Sequence, residues 1–226
     1  MALITCPECK TGNSRPMKRL LLGLAAAILV CVVTACSPGG GDAPDAPSSP
    51  SSAAVGDIVT FGSFNQSAKS DVGEKPIEWR VLAVEGDRML LVSVCALDCR
   101  PFNSSDKQGN SWEESDLYAW LTTEFNDSAF TEAEQERILE ITCLSVDEAR
   151  AYFADDAARA CKPTAYAATN GAVTSNGGCY WWLRSAGTNG KEYAAFVSGD
   201  GRVMAGGQPV SNTDRAVRPA MWVALS

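Results

Sequence analysis

The spacing of apolar positions divides the chain into stretches of different character. Leu20 to Val33 is an unbroken apolar run, whereas Ser37 to Ala54 contains no large apolar side chain. From Val55 onward apolar and polar residues alternate in short stretches, then recur at helical spacing, then alternate again. Ile58-Val59-Thr60-Phe61 reads as a short strand ended by Gly62. Pro76 to Val81 puts Ile77, Trp79 and Val81 on one strand face. Gly86-Asp87 lies between Val84 and the run Met89 to Val94, a tight hairpin signal. Three helix starts follow. Ser111-Trp112-Glu113-Glu114 fits a capping box, with Leu117, Trp120, Leu121 and Phe125 on one face. Thr131-Glu132-Ala133-Glu134 opens a second helix that is expected to run through Ile138 and Leu139. Ser145-Val146-Asp147-Glu148 opens a third, with Val146, Ala149 and Phe153 on its apolar side. Beyond Ala160 the pattern becomes strand-like again. It covers Cys161 to Thr164, a loop through Asn176-Gly177-Gly178, and the run Cys179-Tyr180-Trp181-Trp182-Leu183-Arg184-Ser185. A hairpin about Ser198-Gly199-Asp200-Gly201 and a last strand, Ala220 to Leu225, complete the domain. The fold class predicted is α+β: one domain over 55–226, with short antiparallel strands, hairpins and about three short helices.

Residues 17–36 carry the marks of an export signal: Lys18-Arg19, the apolar run, then Val33-Thr34-Ala35-Cys36. The run is shorter than the roughly 20 residues that span a bilayer. The small residues before Cys36 resemble the lipobox of bacterial lipoproteins. That resemblance implies diacylglycerol on the Cys36 thiol, cleavage before it, and acylation of the new amine, with palmitate-type chains holding the protein to the cell membrane on its extracytoplasmic side. Residues 37–54, rich in Pro, Gly and Ser, form a tether. Residues 1–16 hold a lone Cys6-Pro7-Glu8-Cys9, half of a zinc knuckle. The preferred explanation is that translation starts at Met17, or that this piece is discarded.

Composition narrows the function classes. The sequence contains no histidine, which removes Ser-His-Asp and Cys-His catalysis and His-ligated metals. The formal charge is −8; without the residues before Cys36, 15 basic and 26 acidic residues remain, a formal −11. Such a surface repels phosphate backbones, so no nucleic-acid partner is expected. The capping-box carboxylates read as helix-start residues rather than catalytic pairs.

The candidate chemistry lies in the aromatic runs. Trp181, Trp182 and Trp222 are three of six tryptophans, and Arg184 and Arg218 sit among them. Two readings stand for the arginines. As a forked pair they would bind a carboxylate or phosphate. Alternatively they hold loops by bonding carbonyls and stacking on indoles. Five cysteines follow Cys36, namely Cys95, Cys99, Cys143, Cys161 and Cys179, and an odd number leaves one unpaired. Cys161 and Cys179 flank the glycine-rich loop and are the disulfide candidates, the alternative being two small buried hydrophobes. No cofactor and no metal site is expected; Asp200 offers calcium a single carboxylate.

Gly56-Asp57-Ile58-Val59-Thr60-Phe61-Gly62, Pro76 to Leu82, Trp112 to Leu117, Leu144 to Ala149, Cys161 to Ala167, Trp181-Trp182-Leu183-Arg184-Ser185 and Val217-Arg218-Pro219-Ala220 together resemble a bacterial family, domain of unknown function 6273. Family members carry a longer segment between the second and third helices. Here it shrinks to Ile141-Thr142-Cys143-Leu144, so nothing is implied for a groove walled by it. The tryptophan run, hairpin and closing Val-Arg-Pro strand are also similar to the ending of the formylglycine-generating-enzyme and C-type-lectin-like folds, an analogy of fold alone. No cysteine follows Cys179, as those oxidases require, and Gln208-Pro209-Val210 lacks the carboxylate of a lectin calcium loop. The expectation is a lipid-anchored, noncatalytic module meeting an envelope or surface ligand. The alternatives are a carboxylate-based enzyme acting on cell-wall glycan, which needs two acids about 5–10 Å apart, and a purely structural envelope lipoprotein.

Overall fold

The computed structural model describes residues 53–68 and 73–225. Residues 17–36, expected to be an export signal ending at Cys36, and nearly all of the expected tether lie outside them. The strands of the first half are β1 (Ile58–Phe64), β2 (Lys75–Glu85), β3 (Arg88–Ser93), β4 (Asp98–Cys99) and β5 (Ile138–Thr142). Those of the second half are β6 (Thr174–Ser175), β7 (Gly178–Cys179), β8 (Trp181–Ala186), β9 (Tyr193–Val197), β10 (Val203–Pro209), β11 (Ala216–Val217) and β12 (Ala220–Ala224). They form a five-stranded antiparallel sheet, β1-β2-β3-β12-β5, and a second five-stranded sheet, β10-β9-β8-β11-β4, in which β11 runs parallel to β8. A two-stranded pair, β6-β7, stands apart. Mixed sheets with short helices make the fold α+β.

The hairpins lie where the turn residues put them. Glu85 pairs with Arg88, leaving Gly86-Asp87 as a two-residue turn, and Gly86 has the positive φ of 62° such a turn demands. Ser198 N–H donates to Arg202 O (2.9 Å), closing the β9–β10 turn. Gly62 does not end β1. The strand continues to Phe64 through a bulge, with Gly62 at φ 68° and its N–H donating to Glu134 Oε1 (3.0 Å).

Three helix expectations need correction. The first helix starts at Ser115, not Ser111: Ser115 Oγ accepts from Tyr118 N–H and opens α1 (Asp116–Trp120). The preceding residues are used otherwise. Trp112 is buried against Phe102, and Asn110 Nδ2 donates to Gly190 O and Tyr193 O. After α1 the chain widens into a π-helical turn, Leu121–Phe125, before α2 (Asn126–Ala129). Leu117, Trp120, Leu121 and Phe125 are nonetheless all buried, as their spacing requires. The second helix, α3 (Glu132–Gln135), keeps its Thr131–Glu134 capping box but stops early. Ile138 and Leu139 belong to β5, because β12 pairs with Ile138 and with Glu140 to Thr142, Leu139 falling at a bulge between them, and Arg137 Nη2 seals the turn on Ala224 O (2.9 Å). The third, α4 (Val146–Ala151), starts at Ser145 as its capping box requires.

Cys161 to Thr164 is not a strand. Thr164 caps α6 (Ala165–Thr169), and α5 (Asp156–Arg159) precedes it. The described residues thus hold six α-helices of at most six residues, where about three were expected. Strand alternation splits the core in two. Trp79, Met89, Leu91, Trp182, Phe196 and Met221 point into one cluster, and Leu90, Val92, Trp181, Leu183, Val197 and Ala220 into the other.

Candidate functional site

The residues singled out in the sequence lie mostly inside the protein and do not converge on one surface. Successive residues of a strand face opposite ways, so Trp181 and Trp182 enter different clusters, both fully buried. Trp182 Nε1 donates to Arg100 O (3.0 Å), and its ring meets Phe102 edge-on. Trp181 Nε1 is buried with no partner. Arg218, also buried, lies with its guanidinium carbon 4.9 Å from the Trp181 ring centroid and 5.4 Å from that of Phe153. Its Nε donates to Ser93 O (2.9 Å) and its Nη1 to Arg159 O (3.1 Å). This is a hub binding three chain segments together, with no face turned to solvent.

Arg184 is separate from Arg218 in role. It forks onto Glu148, Nη1 to Oε2 at 2.5 Å and Nη2 to Oε1 at 2.8 Å, and also donates to Cys143 O (2.7 Å). Glu148 in turn accepts from Ser145 N–H (2.7 Å), so one carboxylate caps α4 and anchors it to β8. Burial pushes the Glu148 carboxyl up, but Arg184 and Ser145 outweigh it and hold it below the usual carboxylate range. Trp222 is half-buried under Arg88, whose guanidinium carbon is 4.2 Å from the indole centroid. Arg218 thus bonds carbonyls and lies over an indole, whereas Arg184 bonds a carboxylate and a carbonyl, and the two guanidiniums share no hydrogen-bond partner.

Cys161 and Cys179 are neighbours. Cys179 N–H donates to Cys161 O (2.7 Å), and both thiols are free and buried. Cys95 and Cys99 are separate from one another, and the Cys99 thiol donates to Thr213 O and Arg215 O. No group of three metal-ligating side chains occurs among the described residues, and none of their helices is long and apolar enough to cross a membrane.

The carboxyls whose pKa values depart from the ordinary range all move down. Asp116 is held low by Ser104, through its side chain and N–H, and Asp200 is lowered to about 2 by Arg202 and Ser198. Glu134 is pushed up by burial but pulled further down by Thr131 and Gly62. A general acid for glycan cleavage needs the opposite, a carboxyl kept protonated near neutral pH. One open pocket of about 340 Å³ has Glu74 and Glu134 in its wall, but Glu134 is committed to its capping box and Glu74 accepts from Ser63 Oγ (3.0 Å).

A second pocket, of about 320 Å³, was not anticipated. It lies between the π-helical turn and β5, an edge strand of the first sheet. Tyr118, Thr122, Asn126, Gln135, Leu139 and Glu140 line it. Thr122 and Thr123 hydroxyls donate back to the carbonyls of Tyr118 and Ala119, filling the gap that a wide turn leaves. Gln135 Nε2 donates to Asn126 O and Phe130 O, bracing the wall. Leu139 is 57% exposed. The only sequence signal for this groove was the Thr122-Thr123 pair at mid-helix, which is too weak to call a π turn.

A family model described as Domain of unknown function (DUF6273) matches residues 86–150 and 142–225. No curated protein and no solved structure matches the chain.

Proposed function

The chain belongs to the DUF6273 family, and from that premise we propose that it is a lipid-anchored, extracytoplasmic binding module that takes up an uncharged envelope glycan without transforming it. Its domain is of the C-type-lectin-like kind; the tryptophan strand β8, the β9–β10 hairpin and the closing Val217-Arg218-Pro219 run support that reading. The observation that carries the function is the π-helical turn Leu121–Phe125 and the groove it walls. A π turn forgoes regular helical hydrogen bonding, and such turns recur at functional sites. The groove it walls holds the Asn126 amide and Tyr118 beside exposed Leu139, with the Thr122 and Gln135 oxygens left as acceptors, which is the donor, acceptor and apolar mixture that a sugar face matches. Glu140 and the acidic surface disfavour anionic polymers. Cys36 and the tether would keep the groove near, but clear of, the membrane.

The test is co-sedimentation of soluble 55–226 with insoluble envelope glycan, beside a glycan array. Asn126→Ala and Leu139→Ala alter the groove without removing a core contact. Each is expected to weaken retention about tenfold, or ~1.4 kcal/mol. Retention unchanged in both variants removes the groove from the reading, and release of soluble sugar fragments replaces the binder with an enzyme. Alkyne-palmitate labelling of cells checks the anchor: Cys36→Ser is expected to abolish it. An intact, unacylated N-terminus on the cellular protein overturns the anchor.

A further inference from the structure

We propose that Cys161 and Cys179 form a disulfide, closing the 162–178 loop beside the guanidinium of Arg218. The pair shares a 2.7 Å backbone hydrogen bond. A direct backbone bond of this kind brings the two chain segments into contact, as a disulfide between them requires. Nothing bulky separates them: a Cβ at Gly178 would stand 2.9 Å from Cys161 O, so the chain needs a glycine to bring Cys179 this close.

Arg218 supplies a second, independent feature. It is buried, yet none of its hydrogen bonds reaches a carboxylate; both go to carbonyls. Those carbonyls belong to Ser93, two residues before Cys95, and Arg159, two residues before Cys161. Its aromatic partner Trp181 comes two residues after Cys179. One uncompensated cation is thus tied to the segments that carry Cys95, Cys161 and Cys179, and a buried cation draws a neighbouring thiol toward its thiolate. Burial pushes the Cys161 thiol up, but the hydrogen bond with Cys179 and the Arg218 charge outweigh it, and the group ends well below its ordinary value. Cys179 moves the other way, raised first by the bond it donates to Cys161. Cys161 is therefore the attacking sulfur and Cys179 the resolving one.

The oxidant is a low-molecular-weight disulfide, with glutathione disulfide as the probe. The Cys161 thiolate attacks one of its sulfurs and expels one glutathione thiolate, leaving a mixed disulfide. Cys179 gives up its proton and attacks Cys161 Sγ, expelling the second glutathione thiolate. Two protein thiols are oxidised and one glutathione disulfide is reduced to two thiols. Both cysteines are buried in the folded protein, so the exchange belongs to the last stage of folding, with Arg218 already docked, or to openings of β6–β7, a hairpin of only two residue pairs.

The full chain, unfolded under reductant, is refolded with and without glutathione disulfide, then alkylated and mapped by peptide mass spectrometry. Refolding in oxidant is expected to give a 161–179 linked peptide, two hydrogens lighter than its reduced parts, and a melting temperature several degrees higher that reductant reverses. In Cys179→Ser, glutathione is expected to remain trapped on Cys161. A Cys95–Cys161 link, glutathione trapped on Cys95, or full alkylation of Cys161 and Cys179 after oxidative refolding would each overturn the proposal.

Discussion

Glu148→Gln separates the two jobs of one carboxylate. Glutamine can still accept from Ser145 N–H, so the capping box survives. The fork with Arg184 is lost. Its two side chains are 26% and 23% exposed, between a surface pair, worth about 0.2–1 kcal/mol, and a buried charged hydrogen bond, worth about 1.5–3. The expected loss is about 1–2 kcal/mol at pH 7, roughly 3–6 °C in melting temperature for a domain of this size. Glu148→Ala also removes the cap and is expected to lose about 1 kcal/mol more. The pH dependence follows from the depressed Glu148 pKa. A carboxyl lower in the folded than in the unfolded state stabilises fully above its unfolded value, about 4.3, and that contribution disappears as pH falls through the folded value. Asp116, Glu134 and Asp200 titrate in the same sense in both proteins, so the difference between them isolates Glu148. Urea unfolding, followed by tryptophan fluorescence between pH 7 and pH 3, is the assay. The gap between wild type and Glu148→Gln should narrow below about pH 4. No gap at pH 7, or one that stays constant with pH, would falsify the assigned pairing.

The tryptophan pair gives a second expectation. Trp182→Phe strands Arg100 O, whereas Trp181→Phe removes an N–H that has no partner, so in chemical unfolding the first should cost about 1 kcal/mol more than the second. Equal losses would contradict the hydrogen-bond assignment. Gly201→Ala is the severest single change: at φ 86° a Cβ would stand 1.6 Å from Asp156 O, and loss of soluble protein, or destabilisation above about 3 kcal/mol, is expected. Normal yield and melting temperature would refute that packing.

Much of the fold was legible because its signals are local. The Gly86-Asp87 turn, the Ser198–Gly201 turn and the capping boxes at Thr131 and Ser145 depend on neighbours within a few residues, and all four lie where the pattern puts them. The misreadings share a different cause. Ile138 and Leu139 carry a helix-compatible spacing, and only β12, some 80 residues away, makes them a strand. Ser111 meets the composition of a cap, but Trp112 must reach Phe102 and so shifts the helix to Ser115. The site residues were found as a cluster but not as a surface, since alternation along β8 says which way each tryptophan points, not whether protein or water lies there. The groove by the π turn is built from residues that look ordinary one at a time.

The position of β12 sets a timetable. It is the last strand described, yet it sits in the first sheet between β3 and β5. Until it arrives, the β1–β3 meander and β5 have no bridge between them. A chain threaded N-terminus first through a narrow pore would therefore stay slack until β12 had passed, and would lock only on the far side.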